Sequence, residues 1–338
     1  MIQLDFKKYL FHFKNEIGTS RGKMRTRTSW FIFLKENDKI GIGEVAPLPG
    51  LSIETESEVE SELNRLKFLN SNFSSTLPSI IFALETALLD LQNGGKRILF
   101  HSPFTNQNVG IPINGLIWMN DFDKMKSEID SKINIYKCIK IKIGSINFED
   151  EIELIKYIRN KSADVEIRLD ANGAFDFNSA KEILNRISKY KIHSIEQPIA
   201  KNQIENLKVL CETSPIPIAL DEELIGVNDF ESKLKLIDFV KPHYLVLKPS
   251  LLGGFKSCDE WIEIAEKNNV SWWITSALES NIGLNSIAEW TATLKNNSIH
   301  GLGTGELYKN NFTSPLSIKN DKLFFNPNNN WDLTELLK

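Results

Sequence analysis

At 338 residues the chain is too long for one small core, and a large domain with a smaller companion is expected. Its 41% hydrophobic and 25% charged residues are ordinary for a soluble globular protein, and a net charge of −4 excludes a generally basic surface for nucleic acid. No apolar run approaches the ~18 residues of a membrane span, and the three cysteines, Cys138, Cys211 and Cys258, lack metal-ligand spacing. The composition therefore reads as a cytoplasmic protein with reduced thiols, partnered with neither membrane nor nucleic acid.

The first hundred residues read as α+β. A strand through Ile2 to Phe13 precedes a basic segment, Gly18 to Arg27, expected to be a loop. Runs at Trp30–Leu34 and Ile40–Gly43 flank Glu36-Asn37-Asp38, a hairpin turn. Glu44-Val-Ala-Pro-Leu-Pro-Gly50 is expected to be loop, because its two prolines exclude regular pairing. Two helices follow, one over Glu54 to Phe68 and one starting after Pro78, where proline suits a first helical turn. Gly94-Gly95 ends the second.

From about Val109 the chain alternates strand-like and helix-like runs. The predicted strands are Ile111–Leu116, Cys138–Ile143, Glu166–Asp170, Ser194–Glu196, Ile218–Asp221, Tyr244–Lys248, Ser271–Thr275 and a weak one near Leu302. Helical runs include Phe148–Lys161, Ser179–Tyr190 and Phe255–Asn268. Eight short strands so spaced suit a closed parallel barrel better than an open doubly wound sheet. Trp272-Trp273 reads as barrel core and outer packing, and Gly301-x-Gly-x-Gly305 lacks the strand-to-helix setting of a dinucleotide loop.

Within Cys138–Ile143, Ile139, Ile141 and Ile143 share one face and Cys138, Lys140 and Lys142 the other. In a parallel sheet with both faces covered, those lysines cannot point into water. Burial and mutual repulsion are expected to lower their pKa, and a lysine held near neutrality is a general base. Polar residues recur at successive strand ends, Lys142, Asp170, Glu196, Asp221, Lys248 and Ser276, at intervals of 25 to 28 residues. That places one such group per unit at the C-terminal mouth, where barrel active sites lie. Taken singly, each carboxylate has an ordinary reading as a strand terminator or helix cap. Three in register would repel one another unless a divalent cation neutralised them, and an all-oxygen set suits Mg2+ or Mn2+. Lys248 lies almost opposite the Lys140-x-Lys142 strand, so a flat substrate can have a lysine on each face. Such a site suits proton abstraction α to a carboxylate.

The series Lys140-x-Lys142, Asp170, Glu196, Asp221 and Lys248 resembles the enolase superfamily, in its muconate-lactonizing branch. The lysine-plus-Mg2+ pairing is a known feature of that superfamily. The resemblance implies a (β/α)7β modified TIM barrel over residues 106–309 and an N-terminal α+β capping domain over 1–105. The tail 310–338 is expected to return to the cap. The resemblance further implies that Asp170, Glu196 and Asp221 bind Mg2+ (Mn2+ as a substitute). Lys142 would be the base, Lys140 its support and Lys248 the opposite lysine.

Within the branch, Gly43-Glu-Val-Ala-Pro-Leu-Pro-Gly50, Arg168-Leu-Asp-Ala-Asn172, Ser276-Ala-Leu-Glu-Ser280 and Gly301-Leu-Gly-Thr-Gly305 are most like the o-succinylbenzoate synthase family of menaquinone biosynthesis. That likeness implies a small dicarboxylate substrate that loses one water by syn-dehydration. Arg21, Asn172, Ser276, Ser280 and Gly303 are expected to contact the substrate. Arg21, with Lys23, Arg25 and Arg27, would belong to a lid that attracts the succinyl carboxylate. Dipeptide epimerases and N-acylamino acid racemases share the lysines and carboxylates. The epimerases commonly place Asp-x-Asp where this chain has Gly-Leu-Gly-Thr-Gly, whereas Gln197, in Glu196-Gln-Pro198, is shared more often with them. The reading from outside enzymology is a barrel that binds carboxylates without turnover.

Overall fold

Three strands at the start of the chain form an antiparallel sheet in the order β1-β2-β3. Its strands are β1 (Gln3–Thr19), β2 (Gly22–Glu36) and β3 (Lys39–Val45). The computed structural model describes residues 2–19, 22–69 and 72–338. Two helices, α1 (Glu56–Lys67) and α2 (Pro78–Gln92), cover one face. Thr55 starts α1 with a capping box to Glu58, and Pro78 occupies the first turn of α2. The β2–β3 turn is Asn37-Asp38, with Asn37 at φ 53°, a conformation that asparagine tolerates.

Two expectations change here. The described residues of the basic Gly18–Arg27 segment are strand rather than loop, because β1 and β2 pair out to Thr19 and Gly22. Lys23 and Arg25 are exposed on that hairpin and pair with Glu16 at 3.1 and 2.8 Å. The stretch from Glu44 is also not wholly loop, since β3 runs through Val45 and buries Glu44.

Strand β3 packs so closely on α2 that side chains are excluded from Gly41 and Gly43. A Cβ on Gly43 would stand 1.9 Å from the Ala83 carbonyl oxygen, and one on Gly41 2.0 Å from that of Ala87. Backbone cannot rotate aside as a side chain can. Gly43→Ala is therefore expected to destabilise the protein by about 1–3 kcal/mol, read as a lower urea midpoint. An unchanged midpoint would show that α2 slides freely on the sheet.

After the short α3 (Pro103–Asn106), β4 (Ile111–Pro112) pairs with the C-terminal hairpin described below, and the barrel strands begin at β5 (Gly115–Ile117). They continue, with intervening helices, as α4 (Phe122–Lys132), β6 (Cys138–Lys142), α5 (Phe148–Lys161), β7 (Glu166–Asp170), α6 (Phe177–Ile187), β8 (Ser194–Glu196), α7 (Ile204–Thr213), β9 (Ile218–Leu220), α8 (Phe230–Val240) and β10 (Tyr244–Leu247). Next come α9 (Pro249–Leu252), α10 (Gly254–Lys267), β11 (Ser271–Ile274) and α11 (Asn281–Thr291). The parallel sheet runs β5 to β11 in chain order. His300 and Gly301 stand in the eighth position, making parallel bridges to Ile113 on one side and Thr275 on the other. The expected last strand is thus a two-residue closure.

The barrel has two apolar regions. Outward residues such as Ile139, Ile141, Ile167, Leu169 and Ile195 join the main core beneath the helices. Inside, Ala219, Val246 and Trp273 form a separate small cluster with Tyr244 packed against it. Trp272 joins the outer core, so the tandem tryptophans divide between the two. Arg168 also lies inside, its guanidinium 4.1 Å from the Trp273 ring centre and ion-paired with Glu166 at 2.6 Å. This plug fills the lower barrel and leaves the upper inward positions for chemistry.

The tail passes under both parts. Phe312 packs on Tyr9, Phe11 and Phe31 of the cap sheet, and Lys309 N–H donates to the His12 carbonyl at 2.8 Å. The hairpin β12 (Leu316–Lys319) and β13 (Lys322–Phe325) instead pairs with β4, and α12 (Thr334–Leu337) ends the chain.

Candidate active site

Strand β6 lays down the centre of the site. Its isoleucines are driven outward under the helices, so Lys140 and Lys142 must face the barrel interior, each 8% exposed. Asp170 follows on β7, Glu196 on β8, Asp221 just after β9 and Lys248 just after β10. All are buried or nearly so. One oxygen from each of Asp170, Glu196 and Asp221 lies within 4.8 Å of the others.

The ammonium groups interleave with this triad. Lys140 pairs with Asp170 at 2.9 Å and also with Glu196. Lys142 donates to Asp170 at 2.9 Å and to the Asn172 side-chain oxygen at 2.6 Å. Lys248 pairs with Asp221 at 2.5 Å. Burial works against the charge on Lys140 and Lys248, but the surrounding carboxylates outweigh it and hold both above the usual lysine range. At Lys140 the expected lowering is reversed, because Asp170 and Glu196 contact its ammonium directly. Asp170 pays the same burial penalty and is nevertheless held far below the carboxylate range by Lys140, Lys142 and Lys248. Glu196 goes the other way: burial, with Asp170 and Asp221 beside it, pushes it up to about 7 despite Lys140. Burial likewise raises Asp221.

The donor set fits a divalent cation. Glu196 Oε1 and Asp221 Oδ1 are buried and have no hydrogen-bond partner among the described residues. Such oxygens are costly unless a positive charge meets them. Three carboxylates converging with oxygens to spare form a hard-oxygen site of the kind Mg2+ takes.

Above the triad opens a cavity of about 980 Å³ between the barrel mouth and the cap hairpin. Lys140, Lys142, Asp170, Asn172, Lys248, Ser276 and Gly303 line it from the barrel, and Ile17, Leu48 and Leu51 from the cap. Of the expected substrate contacts, Asn172, Ser276 and Gly303 therefore face the cavity, and Arg21 lies outside the described residues. Ser280 is a correction. It is fully buried away from the cavity wall, where it caps α11 and donates to Glu44 at 2.6 Å. Glu44 also accepts from Ser280 N–H and Gly283 N–H, each at 3.0 Å, and so bolts the cap to the barrel. Arg27 serves the same joint by donating to the Ala46 and Ala277 carbonyls.

Several residues at the site were not among the expected contacts. Trp118, on the loop after β5, lines the cavity with its ring centre 6.0 Å from the Lys142 ammonium. Thr304 meets Ser276 hydroxyl to hydroxyl at 2.6 Å. Gln197, noted in the sequence as a departure, is a buried strut. Its side-chain oxygen accepts from Asp221 N–H at 3.3 Å and Glu223 N–H at 3.2 Å, and its amide donates to the Ile199 carbonyl.

Comparison with known proteins agrees with this geometry. Residues 124–326 match the family model described as enolase C-terminal domain-like, and residues 1–91 match MenC, N-terminal domain. The chain is 40% identical to the o-succinylbenzoate synthase of Desulfotalea psychrophila, over 94% of this chain and 97% of that protein. The crystal structure of MenC from Desulfotalea psychrophila superposes with a TM-score of 0.86 at 38% identity, covering 96% of this chain and 99% of the other. The muconate lactonizing enzyme of Pseudomonas fluorescens, complexed with muconolactone, superposes with a TM-score of 0.84 at 20% identity, covering 99% and 98%; that likeness is one of fold.

Proposed function

Because the chain belongs to the o-succinylbenzoate synthase family of the enolase superfamily, we propose that it dehydrates 2-succinyl-6-hydroxy-2,4-cyclohexadiene-1-carboxylate to 2-succinylbenzoate in menaquinone biosynthesis. It is a carbon–oxygen lyase of the hydro-lyase kind. The observation that carries this reading is the buried carboxylate triad flanked by lysines from strands β6 and β10, under a cavity large enough for the substrate. Asp170, Glu196 and Asp221 would hold Mg2+, with Mn2+ as a substitute. When bound there, the ion supplies positive charge against which a substrate carboxylate is held and its developing charge stabilised.

The chain's own residues do the proton work. Lys142, as the neutral amine, takes the proton from the ring carbon bearing the carboxylate: the C–H bond breaks and an N–H bond forms. Its electron pair is held as an enolate-like anion of the substrate. The C–O bond of the ring hydroxyl then breaks, the electron pair completes the aromatic ring, and Lys142 returns its proton to the departing hydroxide. One water is lost, and Lys142 is neutral again. Lys140, whose ammonium stays charged, pairs with the same Asp170 carboxylate as Lys142 and stands beside it on the inner face of β6. Lys248 faces the opposite side of the ring as a cation. Leu48 and Leu51 close the cavity from above and limit water around the base.

Gly301 to Gly305 carries no anion that would hold a substrate ammonium, which favours the dicarboxylate over a dipeptide. All three cysteines are buried and unpaired, in keeping with a reducing compartment, and we place the reaction in the cytoplasm. Among the described residues no helix is long and apolar enough to cross a membrane. The test is dehydration assayed with Mg2+, with Mn2+ and with a chelator in excess. Turnover is expected with either ion and not with chelator. A folded, Mg2+-loaded protein that leaves this substrate untouched would overturn the proposal.

A further inference from the structure

Asn172 was expected to touch substrate, but its contacts run along the wall of the site rather than across it. Its side-chain oxygen accepts from the Lys142 ammonium at 2.6 Å, and its side-chain amide donates to Glu222 Oε1 at 3.0 Å. A cationic donor on one side and a carboxylate acceptor on the other permit only one orientation of the amide. Both ends of this chain are pinned. Asn172 sits at φ 46°, and its N–H donates to Asp170 Oδ1 at 3.1 Å. Glu222 is 4% exposed in the tight turn after β9. Gln197 fixes that turn through the N–H groups of Asp221 and Glu223, and Asn202 N–H fixes the Glu223 carboxylate at 3.0 Å.

We propose that Asn172 and Glu222 are positioning residues that aim the Lys142 amine at the substrate. Glu222 forces the Asn172 oxygen toward Lys142, so an N–H of the amine is always committed to that oxygen. The nitrogen lone pair is thereby turned away from Asn172 and into the cavity, where the proton is taken. Glu222 acts through Asn172 and touches no reacting atom. The inference rests on Lys142 being the base of the proposed reaction.

The test is a double-mutant cycle in the Mg2+-loaded enzyme with Glu222→Gln, Asn172→Gly and both together. Glycine keeps the positive φ while removing the side chain. Each single variant is expected to lose on the order of 10- to 100-fold in kcat, the usual effect of a misaimed group. KM and the Mg2+ dissociation constant, measured by calorimetry, should each stay within about 3-fold. The double variant should lose no more than Asn172→Gly alone. With substrate deuterated at the abstracted position, the isotope effect on kcat should rise in both single variants, which a merely structural role would not produce. Additive losses, an unchanged kcat in Asn172→Gly, or weakened Mg2+ binding as the whole effect would each overturn the proposal. If Glu222→Gln does not fold, Asn172→Gly decides on kcat and isotope effect alone. Lys142→Ala is run alongside: if it retains full turnover, the assignment of the base fails, and if it is dead while the cycle is additive, only this inference fails.

Discussion

Asp170→Asn, Glu196→Gln and Asp221→Asn are each expected to reduce dehydration by on the order of 10³-fold or more, and to diminish the thermal stabilisation by Mg2+ that is expected of the parent protein. The magnitude follows from the several kcal/mol by which a cation would stabilise an anion delocalised onto the substrate carboxylate, at ~1.4 kcal/mol per tenfold in rate. The second readout follows from linkage, because an ion that binds only the folded state raises its melting temperature. The fold should survive each change, since these side chains are isosteric and form no part of the apolar cores. The three need not be equal. Asp170 is contacted by Lys140 and Lys142 and accepts from Asn172 N–H, so its loss also disorders the base. Glu196 and Asp221 each contribute an oxygen without a partner among the described residues, so their loss should fall more purely on metal affinity. Excess Mg2+ should thus recover part of the rate in Glu196→Gln or Asp221→Asn and less in Asp170→Asn. Normal turnover at limiting metal in any of the three removes that residue from the ligand set.

The legible parts of the site were those whose physics is periodic. Strand β6 announces itself by β-branched residues on one face and lysines on the other, and the strand-end carboxylates follow at barrel spacing. Helix α5 was delimited from the sequence because apolar spacing, acidic residues in its first turn and basic ones in its last coincide. What escaped is set by tertiary contact. The basic hairpin read as loop because its charges alternate with little apolar content, yet Arg27 buries its guanidinium on two carbonyls that no local pattern announces. The closing strand is only two bridged residues, held by Thr275 and Ile113 from distant parts of the chain. Ser280 lies in a motif shared with substrate-binding positions, but Glu44, 236 residues away, takes its hydroxyl into the cap joint. Glu222, next to Asp221, carries no periodic signal of its own, and its hydrogen bond to Asn172 joins residues 50 apart in the chain.

Lys142→Ala is expected to lose dehydration entirely, and Lys248→Ala only in part. The asymmetry is the chemical signature of the proposed reaction. In a syn-dehydration one face carries both the proton and the leaving hydroxyl, so Lys142 handles two transfers and Lys248 none. Removing a general acid–base group costs ~10²–10⁴-fold, and here the same group serves two steps. Lys248 contributes a positive charge near the ring face, worth ~0.5–2 kcal/mol, or up to about 30-fold. Its removal also leaves Asp221 without its 2.5 Å partner, which Mg2+ binding should largely offset. Exchange of the abstracted proton into D2O separates the roles. Lys248→Ala should still exchange bound substrate, because Lys142 and its contacts with Asp170, Asn172 and the Trp118 face are intact. Lys142→Ala should exchange none. In an epimerase or racemase, each lysine instead serves one enantiomer, so the two substitutions would be equivalent and mirror-related toward N-acylamino acids. Efficient racemisation by the parent protein with undetectable dehydration would overturn the synthase reading while leaving both lysines and the metal triad in the chemistry.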